Sequence, residues 1–167
     1  SGEDDHGRKK CTRKDIIALK RKLDALQVPT AGRRLVLCSD HVNDLLEDDQ
    51  KFRDQYYNYT SGKIANMYGF EVYEFENCPY FTKEGTKVPF KDTPSGTDHQ
   101  ASFCFYTKRV FRAQGSTKMY YRDAQTNPDY QQNEVNFRHY YIVLPKKMEA
   151  IGAIYSYDGS TAQTSDQ

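Results

Sequence analysis

The chain has 167 residues, a length that suits one domain with one buried core. Its 24 basic and 23 acidic residues nearly cancel, which argues against a dedicated nucleic-acid binder, since that class usually carries a clear basic excess. No apolar run approaches the roughly 20 residues that span a bilayer, which argues against a membrane-spanning helix.

The N-terminal region predicts a polar lead-in followed by a helix. Residues 1–11 are expected to be a disordered lead-in or the remnant of a tag. Thr12 and Asp15 match a capping box, with aspartate in place of the usual glutamate. Pro29 requires the helix to end before it, because the residue preceding a proline avoids helical angles. Apolar residues at spacings of three and four define one face of this helix: Ile16, Leu19, Leu23 and Leu26.

The same region is strongly basic, with eight cations between residues 8 and 22 against Asp15 alone. These cations define a candidate basic patch for phosphate groups or an acidic partner, and a solvated helix face is the alternative. The eight residues are Arg8, Lys9, Lys10, Arg13, Lys14, Lys20, Arg21 and Lys22.

Strands and a second helix are predicted to follow. Residues 34–38 read as a short buried strand, and Ser39 or Asp40 can cap a helix whose inward-facing residues are Val42, Leu45 and Leu46. Residues 48–61 are polar and rich in tyrosine, which predicts a partly ordered loop. Residues 70–75 alternate apolar and acidic side chains, the pattern of a half-buried strand.

The second half of the chain reads as strands separated by loops. Residues 77–100 contain several prolines and glycines and predict a long loop, which in a compact domain is usually functional or flexible. The remaining expectations are a strand over 101–106, one or two helical turns over 108–113, long strands over 117–122 and 134–144 joined by a turn over 123–129, a last strand over 150–157 and a disordered tail over 158–167.

No constellation of catalytic residues stands out, so the chain is predicted not to be an enzyme and to use no metal or cofactor. Residues 115–118 resemble part of a phosphate loop but lack its full spacing. Cys38 and His41 are three residues apart across a predicted strand-to-helix junction, where we expect a buried thiol and an exposed imidazole. The four cysteines are widely spaced, which favours reduced thiols over a zinc site or a disulfide framework.

The order of landmarks between residues 14 and 157 resembles the major capsid (coat) proteins of tailed bacteriophages. Each landmark is only a turn or a strand edge, so the resemblance depends on their order and spacing. The landmarks are LDALQVP at 23–29, GRRLVL at 32–37, DHV at 40–42, LL at 45–46, GKI at 62–64, YGFEVY at 68–73 and FYTKRVFRA at 105–113.

This resemblance implies a mixed α/β fold of the α+β class, with a central sheet flanked by helices and a long β-hairpin. It implies an axial domain at about 30–113, peripheral-domain strands at about 114–157, and a chain that corresponds to the C-terminal portion of a coat protein. The implied function is that of a non-enzymatic subunit of an icosahedral viral shell, located in the virion and, during assembly, in the bacterial cytoplasm.

The implied partners are other copies of the subunit, scaffolding or portal proteins, and packaged DNA through non-specific contacts, with no membrane. Residues 44–60 and 77–100 are predicted to form inter-subunit loops, because long loops on a rigid scaffold usually carry binding. The candidate contacts are Tyr56, Tyr57, Tyr59, Phe81 and Phe90. The alternatives are an encapsulin-like cellular shell, a prophage remnant, a non-catalytic binding module using the basic helix, and an enzyme with 77–100 as a lid.

Overall fold

The computed structural model describes residues 8–56, 63–126 and 132–156. Within them, three helices combine with eleven strands in a mixed α+β architecture. The helices are α1 (Arg13–Ala25), α2 (Ser39–Asp48) and α3 (Gln50–Tyr56). The strands are β1 (Arg33–Leu37), β2 (Lys63–Met67), β3 (Phe70–Glu74), β4 (Tyr80–Phe81), β5 (His99–Gln100), β6 (Ser102–Tyr106), β7 (Val110–Gln114), β8 (Lys118–Arg122), β9 (Glu134–Arg138), β10 (Tyr141–Pro145) and β11 (Ile151–Ile154).

A five-stranded sheet forms the body of the molecule, in the order β11-β6-β1-β3-β2. Strands β1 and β3 are parallel, and the other neighbours are antiparallel. Alternate residues of β1 are buried, as Leu35 and Leu37 show, which is the period of two expected for a strand with one face on the core. These residues join the apolar faces of all three helices in one hydrophobic cluster.

Helix α1 begins as the sequence predicts. Thr12 is the N-cap, its side chain and that of Asp15 form the capping box, and the Asp15 carboxylate accepts the Thr12 N–H at 2.8 Å. The face formed by Ile16, Leu19 and Leu23 is buried, whereas Leu26 follows the last turn and is 47% exposed.

Three local predictions are wrong. Residues 8–11 pack on the domain with Arg8 and Cys11 buried, because Arg8 has an acidic partner in α2 that a local pattern does not reveal. Residues 50–56 form α3, since burial of Phe52 anchors a polar segment that was predicted as loop. The helical turns predicted over 108–113 are replaced by a 3₁₀ turn at Thr107–Arg109 and then by β7, because the residues of β7 pair with β10.

Strands β7, β8, β9 and β10 form a two-stranded ribbon outside the central sheet. Strand β7 pairs with β10 and β8 pairs with β9, so the ribbon has an inner half and an outer half. Three residues (115–117) lie opposite two (139–140), where the Gly115 N–H donates to the Tyr140 carbonyl at 2.8 Å. One side of the ribbon therefore has one residue more than the other, as in a β-bulge. This irregularity divides the predicted strand over 134–144 into two.

Gly152 permits close packing between β11 and α1. A Cβ at this position would lie 2.9 Å from Leu19 Cδ1 and 3.1 Å from Cys104 Sγ, both in buried residues. We expect Gly152→Ala to lower the free energy of unfolding by about 1–3 kcal/mol, as overpacking of a filled core does. Urea denaturation of the variant measures the change.

Gly96→Ala is the matched control, because a Cβ there meets nothing within 4 Å. Both substitutions restrict the unfolded chain in the same way. The difference between the free energies of unfolding of the two variants therefore isolates the steric clash in the folded state. Equal stability of the two variants would contradict the packing explanation.

Candidate assembly surfaces

The outer half of the ribbon has one wholly apolar face. Residues directly opposite each other in an antiparallel pair share a face, and every second residue along a strand returns to it. The register therefore places the pairs Met119–Phe137 and Tyr121–Val135 on the same side. All four side chains are between 49% and 69% exposed.

The inner half repeats this arrangement. Phe111 lies opposite Leu144 and Ala113 opposite Ile142, which gives a second apolar face. Its large side chains are also exposed. A two-stranded ribbon is at best marginally stable alone, and exposed apolar patches mark interaction sites. Both halves of the ribbon therefore have the character of a surface that another polypeptide covers.

The opposite face of the outer half is polar and basic. Its cross-strand pairs are Lys118–Arg138, Tyr120–Asn136 and Arg122–Glu134. Every residue of β8 and β9 is exposed, so both faces of this half are open.

The loop between β4 and β5 borders an apolar cavity of about 770 Å³ beside the central sheet. Phe81 is half-buried and stacks on Tyr155 with ring centroids 5.9 Å apart, while Phe90 is fully exposed on the loop. The cavity is lined mainly by apolar residues, including Phe75, Pro79, Phe81, Val88, Phe90, Phe103 and Ile151.

The other predicted contacts lie elsewhere. Tyr56, at the end of α3, packs against the hydrophobic cluster, and its hydroxyl donates to Glu74 Oε2 at 3.2 Å. Tyr57 and Tyr59 lie outside the described residues. Of the candidate contacts that the structure describes, Phe90 alone has a fully exposed ring.

The eight basic residues do not form one exposed and unpaired patch. Arg8 is buried against Asp44, Lys10 pairs with Glu47 at 2.7 Å, and Lys20 pairs with Asp24 at 2.6 Å. Lys9 is half-exposed in the segment before α1. The exposed remainder on α1 consists of Arg13, Lys14, Arg21 and Lys22.

A buried polar network joins the two ends of the described chain. The Arg8 guanidinium donates to both Asp44 carboxylate oxygens, at 2.7 and 2.9 Å, and to Ser156 Oγ at 3.2 Å. His41 Nδ1 lies 2.7 Å from Ser102 Oγ, and His41 Nε2 lies 3.0 Å from Ser156 Oγ. Helix α2, strand β6 and the segments around residues 8 and 156 therefore meet at His41.

The expectation of an exposed His41 beside a buried Cys38 is half wrong. Both side chains are fully buried, and burial lowers the pKa of His41 to about 4, with the Arg8 charge as the next cause. Burial likewise raises the pKa of Cys38, so the thiol stays protonated. A neutral imidazole without solvent access between two hydroxyls fits a structural role. Its partners are 61 and 115 residues distant in sequence, so no local motif reveals them.

Other candidate chemistry finds little support in the geometry. Residues 115–118 connect two ribbon strands and do not lie between a strand and a helix, as a phosphate loop does. Over 8–56, 63–126 and 132–156, no three histidine, cysteine or acidic residues group as metal ligands do. No described helix is long and apolar enough to cross a membrane.

No protein-family model matches the sequence, and no curated protein matches it. Solved structures do match the fold. A chain from Mycobacterium phage Che8 aligns with a TM-score of 0.58 and 16% identity over 92% of this chain and 49% of its own length. A chain from the capsid structure of cyanophage P-SCSP1u aligns with a TM-score of 0.49 and 15% identity, over 85% and 45%.

The chain spans about half the length of each of these two chains. At these identities the likeness concerns the fold. The predicted α+β fold class is confirmed: the domain combines a central sheet and helices with a long ribbon, and its fold is similar to that of the chain from Mycobacterium phage Che8.

Proposed function

We propose that this chain is a structural, non-enzymatic part of a phage or prophage icosahedral shell subunit that acts by self-assembly. The observation that carries the proposal is the ribbon, which exposes an apolar face on each half. An interface core is typically rich in aromatic residues and methionine and poor in charge, as is the face formed by Met119, Tyr121 and Phe137. The phage-like fold supports the same function.

In this proposal the central sheet forms an axial domain and the ribbon belongs to a peripheral domain. The predicted division at about 113–114 does not follow the strand pairing, because β11 lies in the central sheet and β7 pairs with β10. The chain corresponds to the C-terminal portion of the subunit. Neighbouring copies cover the ribbon and contact Phe90, while Phe81 supports its loop from below. Scaffolding or portal proteins are further partners, and the subunit passes from the bacterial cytoplasm into the virion. An encapsulin-like shell would use the same surfaces.

Two substitutions in adjacent residues of β9 test the role of the ribbon. Phe137→Asp places a carboxylate on the apolar face, whereas Asn136→Asp places the same charge on the opposite face. In the protein that carries this sequence, we expect Phe137→Asp to abolish shell assembly, because a charge buried without a partner is strongly unfavourable. Negative-stain electron microscopy and sedimentation would measure the particles.

Asn136→Asp is the control and should assemble normally. Both residues are exposed in the isolated chain, so both variants should fold, which circular dichroism would check. Normal particles from a folded Phe137→Asp variant would contradict the proposal, as would equal loss of assembly in both variants.

A further inference from the structure

Strand β10 differs from the other strands of the ribbon because neither of its faces is polar. Its residues 141–144 are Tyr, Ile, Val and Leu, a continuous apolar run, whereas β9 alternates apolar and polar residues. A strand that packs on one face alternates, and a strand that is buried on both faces reads as a continuous apolar run. All four side chains are between 43% and 68% exposed. The sequence of β10 therefore fits a strand that other polypeptide covers on both faces.

Two ring contacts establish which residues share a face between β9 and β10. Arg138 lies over the Tyr140 ring at 5.4 Å, and the rings of His139 and Tyr141 have centroids 5.9 Å apart. Side chains two positions apart lie beside each other in this way when a strand alternates regularly. The alternation therefore continues from β9 into β10, and the extra residue of the bulge lies in the opposite segment, 115–117.

This regular alternation places the two apolar faces of the ribbon on opposite sides. In β9 and β10, odd-numbered residues share one face, the odd face, and even-numbered residues share the other, the even face. Residues paired across the ribbon lie on the same face, which adds members of β7 and β8. The odd face has exposed apolar residues in both halves, whereas the even face is apolar in the inner half and polar in the outer half. The apolar residues are Met119, Tyr121, Val135, Phe137, Tyr141 and Val143 on the odd face, and Phe111, Ala113, Ile142 and Leu144 on the even face.

We propose that two neighbouring copies of the subunit contact each ribbon, one along the odd face of both halves and the other on the even face of the inner half. This inference rests on the proposed shell function and adds that the inner half is a middle layer between two copies. The odd-face contact continues the apolar face of the outer half, which is already assigned to a neighbouring copy, into Tyr141 and Val143. The even-face contact is separate, because the Lys118–Arg138 pair ends its apolar part. A closed shell of identical copies gives each subunit several neighbours, which can supply both contacts.

Two changes of a single residue test the opposite-sided arrangement in the protein that carries this sequence. Inserting one glycine between His139 and Tyr140 makes the two segments at the bulge equal. Because a shift of one residue turns the strand over, it also moves the outer apolar residues to the even face. Deleting Ser116 makes the segments equal too, but leaves every apolar residue on its present face. We expect the insertion to abolish shell assembly and the deletion to retain it, as seen by negative-stain electron microscopy and sedimentation.

Photo-cross-linking from the two faces of β10 identifies the partners without changing the ribbon's length. Benzoylphenylalanine replaces either Val143 or Ile142, and shells are assembled from an equal mixture of ordinary and heavy-isotope-labelled subunits. Mass spectrometry then recognises a contact between copies as a cross-linked pair with one light and one heavy peptide. We expect such mixed pairs from both positions, with different partner peptides at each, because the two side chains lie on opposite faces.

Four results would overturn the assignment. Two come from the assembly test: normal particles from the insertion variant, or an equal loss of particles in both variants. The other two come from cross-linking: the same partner peptides from both positions, or pairs from Ile142 confined to one copy, which would assign the even face to another segment of the same polypeptide. The shell function itself would stand in each case, because Phe137→Asp tests it separately. Circular dichroism checks the folding of both length variants, and the cross-linking test does not depend on them.

Discussion

Replacing Asp44 with alanine is expected to destabilise the domain by about 3–5 kcal/mol, the cost of leaving one partner of a buried ion pair without the other. The Asp44 carboxylate accepts two hydrogen bonds from Arg8 and one from the Cys11 N–H at 2.8 Å. The Arg8 and Asp44 side chains are only 7% and 5% exposed, so water cannot replace the lost partner. Urea denaturation at neutral pH measures the change.

Glu47→Ala is the matched control. Glu47 lies on the same helix and pairs with Lys10 at the same 2.7 Å distance, but its side chain is 64% exposed. Exposed ion pairs contribute little to stability, so the free energy of unfolding of this variant should be close to that of the wild type. Similar effects of the two substitutions would contradict the role assigned to burial.

The parts of the fold that sequence predicts well are those set by neighbours in the chain. The capping box of α1 and the alternation in β3 need only residues within a few positions of each other, and both are observed. Segment 8–11 and helix α3 are different. Both are polar, and their order comes from Asp44 and from the buried ring of Phe52, which act through tertiary contacts.

The sequence predicts that the outer ribbon strands have one apolar face, but not that this face is exposed. Met119 and Tyr121 alternate with polar residues, as do Val135 and Phe137, which is the pattern of strands with one apolar face. The pattern alone does not tell whether that face packs on the domain's own core or is left open. That answer requires the pairing of β8 with β9 away from the central sheet. The position of Lys118 directly opposite Arg138 likewise follows only from the register of this pairing.

Lowering the pH from about 6.5 to about 4 is expected to cost the domain about 3 kcal/mol through His41. Burial, aided by the Arg8 charge, lowers the pKa of His41 from its ordinary 6.5 to about 4 in the folded state. Between these values the unfolded chain binds a proton that the folded chain does not. The free energy of unfolding therefore falls as the pH falls through this window, and His41 contributes no further loss below it.

The groups around His41 explain why the folded state resists this proton. Arg8 opposes a second positive charge, and Asp44, Asp40 and Asp15 favour it, but the fully buried ring has no water to solvate the imidazolium. Urea denaturation across the window measures the slope for the wild type and for His41→Gln, which retains hydrogen bonding without a titratable ring. The variant should be less stable at neutral pH but show a shallower slope. Parallel curves would assign the acid sensitivity to other groups and leave His41 as a neutral link between α2, β6 and Ser156.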